Sequence, residues 1–199
     1  MTLRLILTRH AKSSWDNPLL TDHDRILNRR GRASAAALGR WLAEIGQRPD
    51  QALVSSSERT RETWDILSNA GGFQTQAEIS PALYLSEPDT MLSILKGATG
   101  RTVQLIAHNP GISFFARSIL DTAPLEHLFD RYPTGATTLI DFETESWSEV
   151  TWRSGLFVDF AVPRALIQRE EEQAAKKAAE AALSPSDTPP DTPTEPLSA

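Results

Sequence analysis

The chain has 199 residues, of which 40% are hydrophobic and 23% are charged, the balance of a globular protein with one core of ordinary size. Its formal net charge of -6 argues against nucleic acid as the main partner, and its lack of cysteine excludes disulfides, thiolate catalysis and zinc-thiolate sites. The first residues enter an apolar strand without a signal-peptide pattern, and no apolar run approaches the roughly 20 residues that span a bilayer. These features predict a cytoplasmic protein without membrane contact.

Short apolar runs alternate with amphipathic segments over the first 160 or so residues. The apolar and alternating runs predict strands at 3–8, 51–55, 75–79, 102–107, 137–142 and 149–153. Helical spacing and capping residues predict helices from Asn28 to Gly46, from Ser57 through about Leu67 with Gly71-Gly72 as the stop signal, at 87–96 and at 111–120. Ser86 and Asp89 resemble a capping box at the start of the third helix. This alternation predicts an α/β fold of three layers, a mostly parallel sheet with helices on both faces.

The composition of the chain changes after Pro163. Residues 164–183 are rich in Ala, Glu, Gln and Lys, which predicts a solvated helix. Residues 184–199 are dense in Pro, Ser, Thr and Asp and lack the apolar surface needed to order themselves, which predicts a disordered tail. We therefore predict one domain over residues 1–163, followed by this helix and tail.

Basic side chains follow three of the predicted strands. Arg9 and His10 end the first strand, His108 follows the strand at 102–107, and Arg59 opens the helix after the second. Ligands of such sheets bind beyond the carboxyl ends of the strands, so we expect these four side chains around one pocket. Guanidiniums bind phosphate, keep a neighbouring imidazole neutral and nucleophilic, and repel a divalent cation. The other two histidines follow no strand and are interpreted as ordinary polar residues.

Three stretches resemble the motifs of the histidine phosphatase superfamily, which includes the phosphoglycerate mutases. Residues 8–16 (TRHAKSSWD) resemble its RHG signature, residues 55–63 (SSSERTRET) its second motif, and residues 107–111 (AHNPG) its second-histidine motif. The RHAKS variant, with LNRRG at 27–31, is similar to the SixA-like branch of protein phosphohistidine phosphatases.

The resemblance implies a phosphoglycerate mutase-like fold and a covalent phosphohistidine formed on His10 and then hydrolysed by water. It assigns catalysis and phosphate binding to Arg9, Arg59 and His108 beside that nucleophile. It also implies that the enzyme needs neither a metal nor a cofactor.

The sequence departs from the family pattern at two places. Ala11 and Lys12 occupy the two positions where the family usually has Gly-Glu, and Lys12 can add positive charge at the rim of the pocket. Asp16 occupies the position of the usual asparagine, and its carboxylate would repel a phosphate dianion unless it turns away. Asp16 is therefore a weak candidate for a phosphate ligand, and a solvated side chain is the simpler interpretation of Lys12. No carboxylate falls clearly where many members carry the proton donor; Glu87, Asp22 and Asp24 remain candidates, and so does the absence of any donor.

A missing acid favours a substrate whose leaving group departs easily. The imidazole of a phosphohistidine leaves as a neutral amine once solvent protonates it, whereas an alkoxide needs an acid. The leading hypothesis is thus a phosphatase for phosphohistidine in a protein, such as a phosphotransfer domain. The alternatives are a phosphomonoesterase for a small phosphorylated metabolite and a phosphate-binding adaptor without activity; the adaptor would not need His10.

Overall fold

The computed structural model of the chain describes residues 2–183. Within them, one sheet contains the strands β1 Leu3–Arg9, β2 Gln51–Ser55, β3 Ala77–Ser80, β4 Thr102–Ala107, β5 Thr137–Phe142 and β6 Leu156–Ala161. The α-helices are α1 Arg29–Glu44, α2 Glu58–Gly71, α3 Pro88–Lys96, α4 Gly111–Ile119, α5 His127–Arg131 and α6 Pro163–Leu183. Short 3-10 helices occur at Pro81–Leu83 and Trp147–Glu149.

The sheet is mixed, with the strand order β3-β2-β4-β1-β5-β6. The first four of these strands pair in parallel, and β5 runs antiparallel to both β1 and β6. Side chains of β1 alternate between two separate apolar clusters: Leu5 and Leu7 join residues of α3, α4 and α5, whereas Ile6 joins residues of α1 and α2. Helices therefore cover both faces of the sheet, which confirms the predicted three-layer α/β fold.

The start of α1 also fixes the loop that follows β1. The Asn28 side chain accepts a hydrogen bond from the Gly31 amide at 2.8 Å, which caps the helix as predicted. A Cβ atom at Gly31 would overlap the carbonyl oxygen of Lys12, so only glycine permits this close approach. The LNRRG stretch thus holds the loop after His10 against the first turn of α1.

Two local predictions were wrong. The predicted strand at 149–153 is a turn, in which the Ser154 hydroxyl donates to the Thr151 carbonyl at 2.7 Å and Arg153 adopts a φ of 60°. Val150 and Trp152 alternate because they pack on the apolar cluster beside α4, and the last strand begins only at Leu156.

The predicted capping box of α3 is also absent. The helix begins after Glu87, whose side chain makes no capping hydrogen bond, and the hydroxyl of Ser86 instead donates to the carbonyl of Leu83 at 3.3 Å. The five-residue helix α5 was not predicted, because five residues are too few to display a helical period.

The chain divides into two units inside α6. The first unit runs through Ile167, and the helix from Gln168 to Leu183 belongs to the second. Leu166 packs in the apolar cluster beneath α1 and α2, so the first unit extends slightly past the boundary predicted at residue 163. The predicted tail at 184–199 lies outside the described residues. None of the helices in the described part combines the length and the hydropathy needed to cross a membrane.

Candidate active site

The two imidazoles come together because β1 and β4 are parallel neighbours. Arg9 and Ala107 are partners in the register of this pair, so the residues that follow them leave the sheet side by side. The His10 amide donates to the carbonyl of Ala107 at 3.1 Å, and the ring centroids of His10 and His108 lie 5.1 Å apart. The carboxyl end of the sheet thus carries a histidine pair.

Two guanidiniums stand beside this pair. Arg59, in the first turn of α2 and only 4% exposed, donates from Nη2 to Nδ1 of His108 at 3.2 Å. Arg9 donates from Nη1 to the carbonyl of Tyr132 at 2.8 Å, while its buried Nε has no partner among residues 2–183. These four groups border a pocket of about 350 Å³. Its remaining lining residues are Lys12, Ser13, Trp15, Asp22, Arg25, Leu85, Asn109 and Thr134.

His10 is held in one tautomer by the main chain. Its Nδ1 lies 2.7 Å from the carbonyl oxygen of Ala11, and a carbonyl oxygen can only accept a hydrogen bond. Nδ1 of the neutral ring therefore carries the proton, and Nε2 carries the lone pair. The ring lines the pocket and is 8% exposed, so this lone pair serves as the nucleophile for a group bound there.

Both imidazoles are neutral in the folded protein. Burial, with smaller contributions from the charges of Arg59 and Arg9, lowers the pKa of His10 to about 3 against the opposing hydrogen bond to Ala11. Burial, followed by the neighbouring His10 and Arg59, lowers the pKa of His108 to about 2. The guanidiniums were expected to keep the His10 ring neutral. They contribute, but burial is the larger cause of its lowered pKa.

The sequence and the fold have counterparts among known proteins. Residues 5–84 match the model of the histidine phosphatase superfamily (branch 1). A solved structure from Agrobacterium tumefaciens, assigned as the phosphohistidine phosphatase SixA, superposes with a TM-score of 0.66 and 27% identity over 81% of this chain and 98% of that one. The chain is similar to the histidine phosphatase superfamily over residues 5–84. It has the phosphoglycerate mutase-like fold of the SixA proteins.

Two curated relatives differ in how much of their length they share with this chain. An uncharacterised chloroplastic protein of Arabidopsis thaliana is 52% identical over 83 residues, which is 41% of this chain but only 38% of that protein. An uncharacterised protein of Mycobacterium leprae is 28% identical over 165 residues, 78% of this chain and 99% of that protein. The similarity to the plant protein is thus confined to part of each chain, whereas the similarity to the mycobacterial protein spans the domain.

The structure separates the weaker candidates for site residues. Lys12 lines the pocket. Asp16 does not; its exposed carboxylate accepts from the Ser14 hydroxyl at 2.7 Å. Glu87 lies at the start of α3 and borders a different cavity, and the exposed Asp24 accepts from the Thr21 hydroxyl at 2.7 Å. Of the three candidate proton donors, only Asp22 borders the pocket.

Asp22 is the counter-ion of Arg59. Its Oδ2 accepts from Arg59 Nη2 at 2.9 Å and from the Tyr84 hydroxyl at 2.7 Å, and its main-chain carbonyl accepts from Arg59 Nη1. Partial burial raises the pKa of Asp22, but the hydrogen bond from Tyr84 and the charge of Arg59 outweigh this and lower it to about 2. The only carboxylate among the lining residues of the described pocket is therefore ionised near neutral pH.

Sequence reasoning gave no role to several residues of this site. Tyr84 donates a hydrogen bond to Asp22 and so orients its carboxylate. The ring of His23 packs edge-on against Tyr84, and Nε2 of His23 lies 2.9 Å from the Ser56 hydroxyl. Ser55 Oγ lies 2.7 Å from His108 Nε2. The position of Ser55, at the end of the strand predicted at 51–55, was the one available signal. Among residues 2–183, no three His, Asp or Glu side chains come together as a group that could hold a metal ion.

The buried histidines make a prediction about stability. Both rings stay neutral in the folded protein to about pH 3, whereas an unfolded histidine titrates near 6.5. Between these values the unfolded chain binds more protons, so stability is present in full above pH 6.5 and is lost as the pH falls. The slope is up to about 1.4 kcal/mol per pH unit for each ring. Asp22, with a lowered pKa, acts in the same direction only below pH 3.8.

Urea unfolding at a series of pH values between 7 and 4 measures this effect. We expect the free energy of unfolding to fall as the pH decreases, and a His10→Gln, His108→Gln double variant to show a flatter profile. A profile that is equally steep in the double variant would mean that other groups cause the loss.

Proposed function

We propose that the protein is a phosphatase that uses Nε2 of His10 as a covalent nucleophile and acts on phosphohistidine in a protein. The observation that carries the proposal is the neutral His10 ring. Its proton is committed to the Ala11 carbonyl, and its lone pair stands beside Arg9 and Arg59 in one pocket. A nucleophile flanked by fixed positive charge is what transfer of a phosphoryl dianion requires. The match of residues 5–84 to the histidine phosphatase superfamily model supports the same activity.

The reaction has two displacements. In the first, a bond forms between His10 Nε2 and phosphorus while the phosphorus–nitrogen bond of the substrate breaks, and the leaving imidazole takes a proton from water. In the second, water attacks the phosphorus of phosphorylated His10, which releases inorganic phosphate and restores the free ring. Arg9 and Arg59 neutralise the charge on the equatorial oxygens in both steps. Because these guanidiniums repel a divalent cation, the proposal includes no metal.

The acid–base character of the pocket supports a phosphoramidate substrate. An ester needs a protonated group to expel its alkoxide, and Asp22, whose pKa is about 2, is already ionised near neutral pH. The neighbouring Tyr84 hydroxyl is itself hydrogen-bonded to Asp22. A phosphoimidazole has no such requirement, since a nitrogen leaving group accepts its proton from solvent.

The surroundings of the pocket support a protein as the bearer of the phosphoryl group. Trp15 lines the pocket, is 73% exposed, and lies beneath the Arg25 guanidinium. Leu19, in the same loop, is 90% exposed. Exposed apolar side chains beside a charged pocket suit contact with a macromolecular surface. The name of the similar Agrobacterium tumefaciens protein, a phosphohistidine phosphatase, agrees with this substrate class.

A panel of substrates tests the proposal. The full-length protein is incubated, with EDTA throughout, with a histidine-phosphorylated phosphotransfer domain, with free phosphohistidine, and with sugar, nucleoside and aryl phosphate esters. We expect kcat/KM to be highest for the phosphorylated domain and EDTA to have no effect. The leaving groups separate the phosphohistidines from the sugar and nucleoside esters, because those esters need the missing acid. The exposed apolar side chains beside the pocket favour the domain over free phosphohistidine.

Two other outcomes would replace the proposal. A higher kcat/KM for one of the esters would identify a small-molecule phosphomonoesterase. Tight binding of the phosphorylated domain without release of phosphate would identify a phosphate-binding adaptor.

A further inference from the structure

The second histidine has an unusual pair of neighbours for a group that is to contact phosphate. Its Nδ1 lies 3.2 Å from Nη2 of Arg59, and its Nε2 lies 2.7 Å from the hydroxyl oxygen of Ser55. The ring is 1% exposed and Ser55 is fully buried at the end of β2. Both contacts therefore lie in the buried part of the site.

These neighbours assign the tautomer of His108 in the free protein. A guanidinium can only donate, so Nδ1 accepts from Arg59. The proton of the neutral ring then resides on Nε2 and is donated to Ser55 Oγ. In this form His108 presents a lone pair at Nδ1, whereas the oxygens of an incoming phosphoryl group are acceptors and need a donor.

His108 can become a donor at Nδ1 in two ways. It can gain a second proton, but the resulting imidazolium would be buried beside Arg59 and the ring of His10. Alternatively, it can carry its single proton at Nδ1, which requires a partner at Nε2 that donates. A serine hydroxyl donates or accepts by rotation about its Cβ–Oγ bond, whereas a carbonyl or a carboxylate can only accept.

We propose that Ser55 is a positioning residue that allows His108 to exchange tautomers when a phosphoryl group binds. In the free site the ring carries its proton at Nε2 and accepts from Arg59; in the occupied site it carries its proton at Nδ1, donates to a phosphoryl oxygen, and accepts from the Ser55 hydroxyl. One proton leaves Nε2 and one arrives at Nδ1, both exchanged with water, so the charge of the ring does not change. The inference rests on the proposed function, since it describes how that pocket receives its anion.

The contrast with His10 supports this assignment. The partner of His10 Nδ1 is the Ala11 carbonyl, which accepts only and therefore locks that ring with its lone pair at Nε2. A nucleophile needs such a fixed form, whereas a ring that binds different oxygens in successive steps benefits from a partner of either polarity. The two imidazoles thus differ in function through the chemistry of one neighbour each.

Nitrogen NMR of the histidine rings tests the exchange directly. Uniformly labelled full-length protein is titrated with inorganic phosphate, and the His108 signals are identified with a His108→Gln variant. We expect His108 to have its protonated nitrogen at Nε2 in the free protein and at Nδ1 in the phosphate complex, while His10 keeps its proton at Nδ1. Two protonated nitrogens on His108 in the complex, or an unchanged tautomer, would overturn the inference.

Two variants provide a second measurement. Ser55→Ala removes the donor that the occupied form needs, so we expect inorganic phosphate to bind about tenfold more weakly, the cost of one buried hydrogen bond. Ser57→Ala is the matched control, because Ser57 is equally buried but its hydroxyl contacts Thr60. Equal phosphate affinity in Ser55→Ala and wild type would also reject the inference. The proposed function is judged separately, by turnover of phosphohistidine in the wild-type protein.

Discussion

Replacing His10 with alanine is expected to abolish hydrolysis of phosphohistidine and leave the fold intact. The variant removes the lone pair that attacks phosphorus, and losses of at least about 10⁴-fold accompany removal of a covalent nucleophile. The side chain follows the end of β1 and borders the pocket, outside the apolar clusters that hold the sheet to its helices. Its removal therefore exposes no core surface.

The intermediate provides the decisive measurement. After rapid mixing with a phosphotransfer domain labelled in its phosphoryl group, the wild-type protein should carry the label in an acid-labile, alkali-stable form on the peptide that contains His10. His10→Ala should carry none. His127→Ala is the matched control, because His127 is an exposed histidine at the start of α5. Turnover by His10→Ala near the wild-type rate would refute the covalent mechanism.

The convergence of the four basic side chains could be predicted because strand ends are visible in the sequence. Arg9, His10 and His108 each end or follow a run of buried apolar residues, and parallel pairing brings such ends to one edge. The capped start of α1 was equally visible, since Asn28 acts on an amide three residues away. These features depend on local patterns and on one general property of α/β sheets.

The contacts that determine the chemistry of the site could not be predicted in this way. The tautomer of His10 depends on the direction of a single carbonyl, and that of His108 on Ser55, which is 53 positions away. Asp22 stood among several candidate carboxylates, and its pairing with Arg59, 37 positions away, is fixed only by folding. The last strand was misplaced for a similar reason, because the alternation at 149–153 arises from packing of a turn on α4 and not from pairing in the sheet.

Arg59→Ala is expected to lower kcat/KM for phosphohistidine by on the order of 10² to 10³, comparable to the loss of one preorganised charge donor in a transition state. Two effects add in this variant. The guanidinium no longer neutralises the phosphoryl oxygens, and the carboxylate of Asp22 loses the ion pair that it forms with Nη2 at 2.9 Å. An uncompensated carboxylate at the rim then repels the incoming dianion.

A second substitution separates these two effects. Adding Asp22→Asn to Arg59→Ala removes the repulsion but does not restore the donor, so we expect the double variant to recover about tenfold in kcat/KM, the equivalent of 1.4 kcal/mol. Arg61→Ala on the same helix is the control, because Arg61 is exposed and its partner Glu58, at 3.6 Å, lies outside the pocket. If Arg59→Ala stays within a few-fold of wild type, this guanidinium does not bind the transferred group. If the double variant recovers nothing, Asp22 acts on the substrate only through Arg59, and the carboxylate itself exerts no repulsion at the site of transfer.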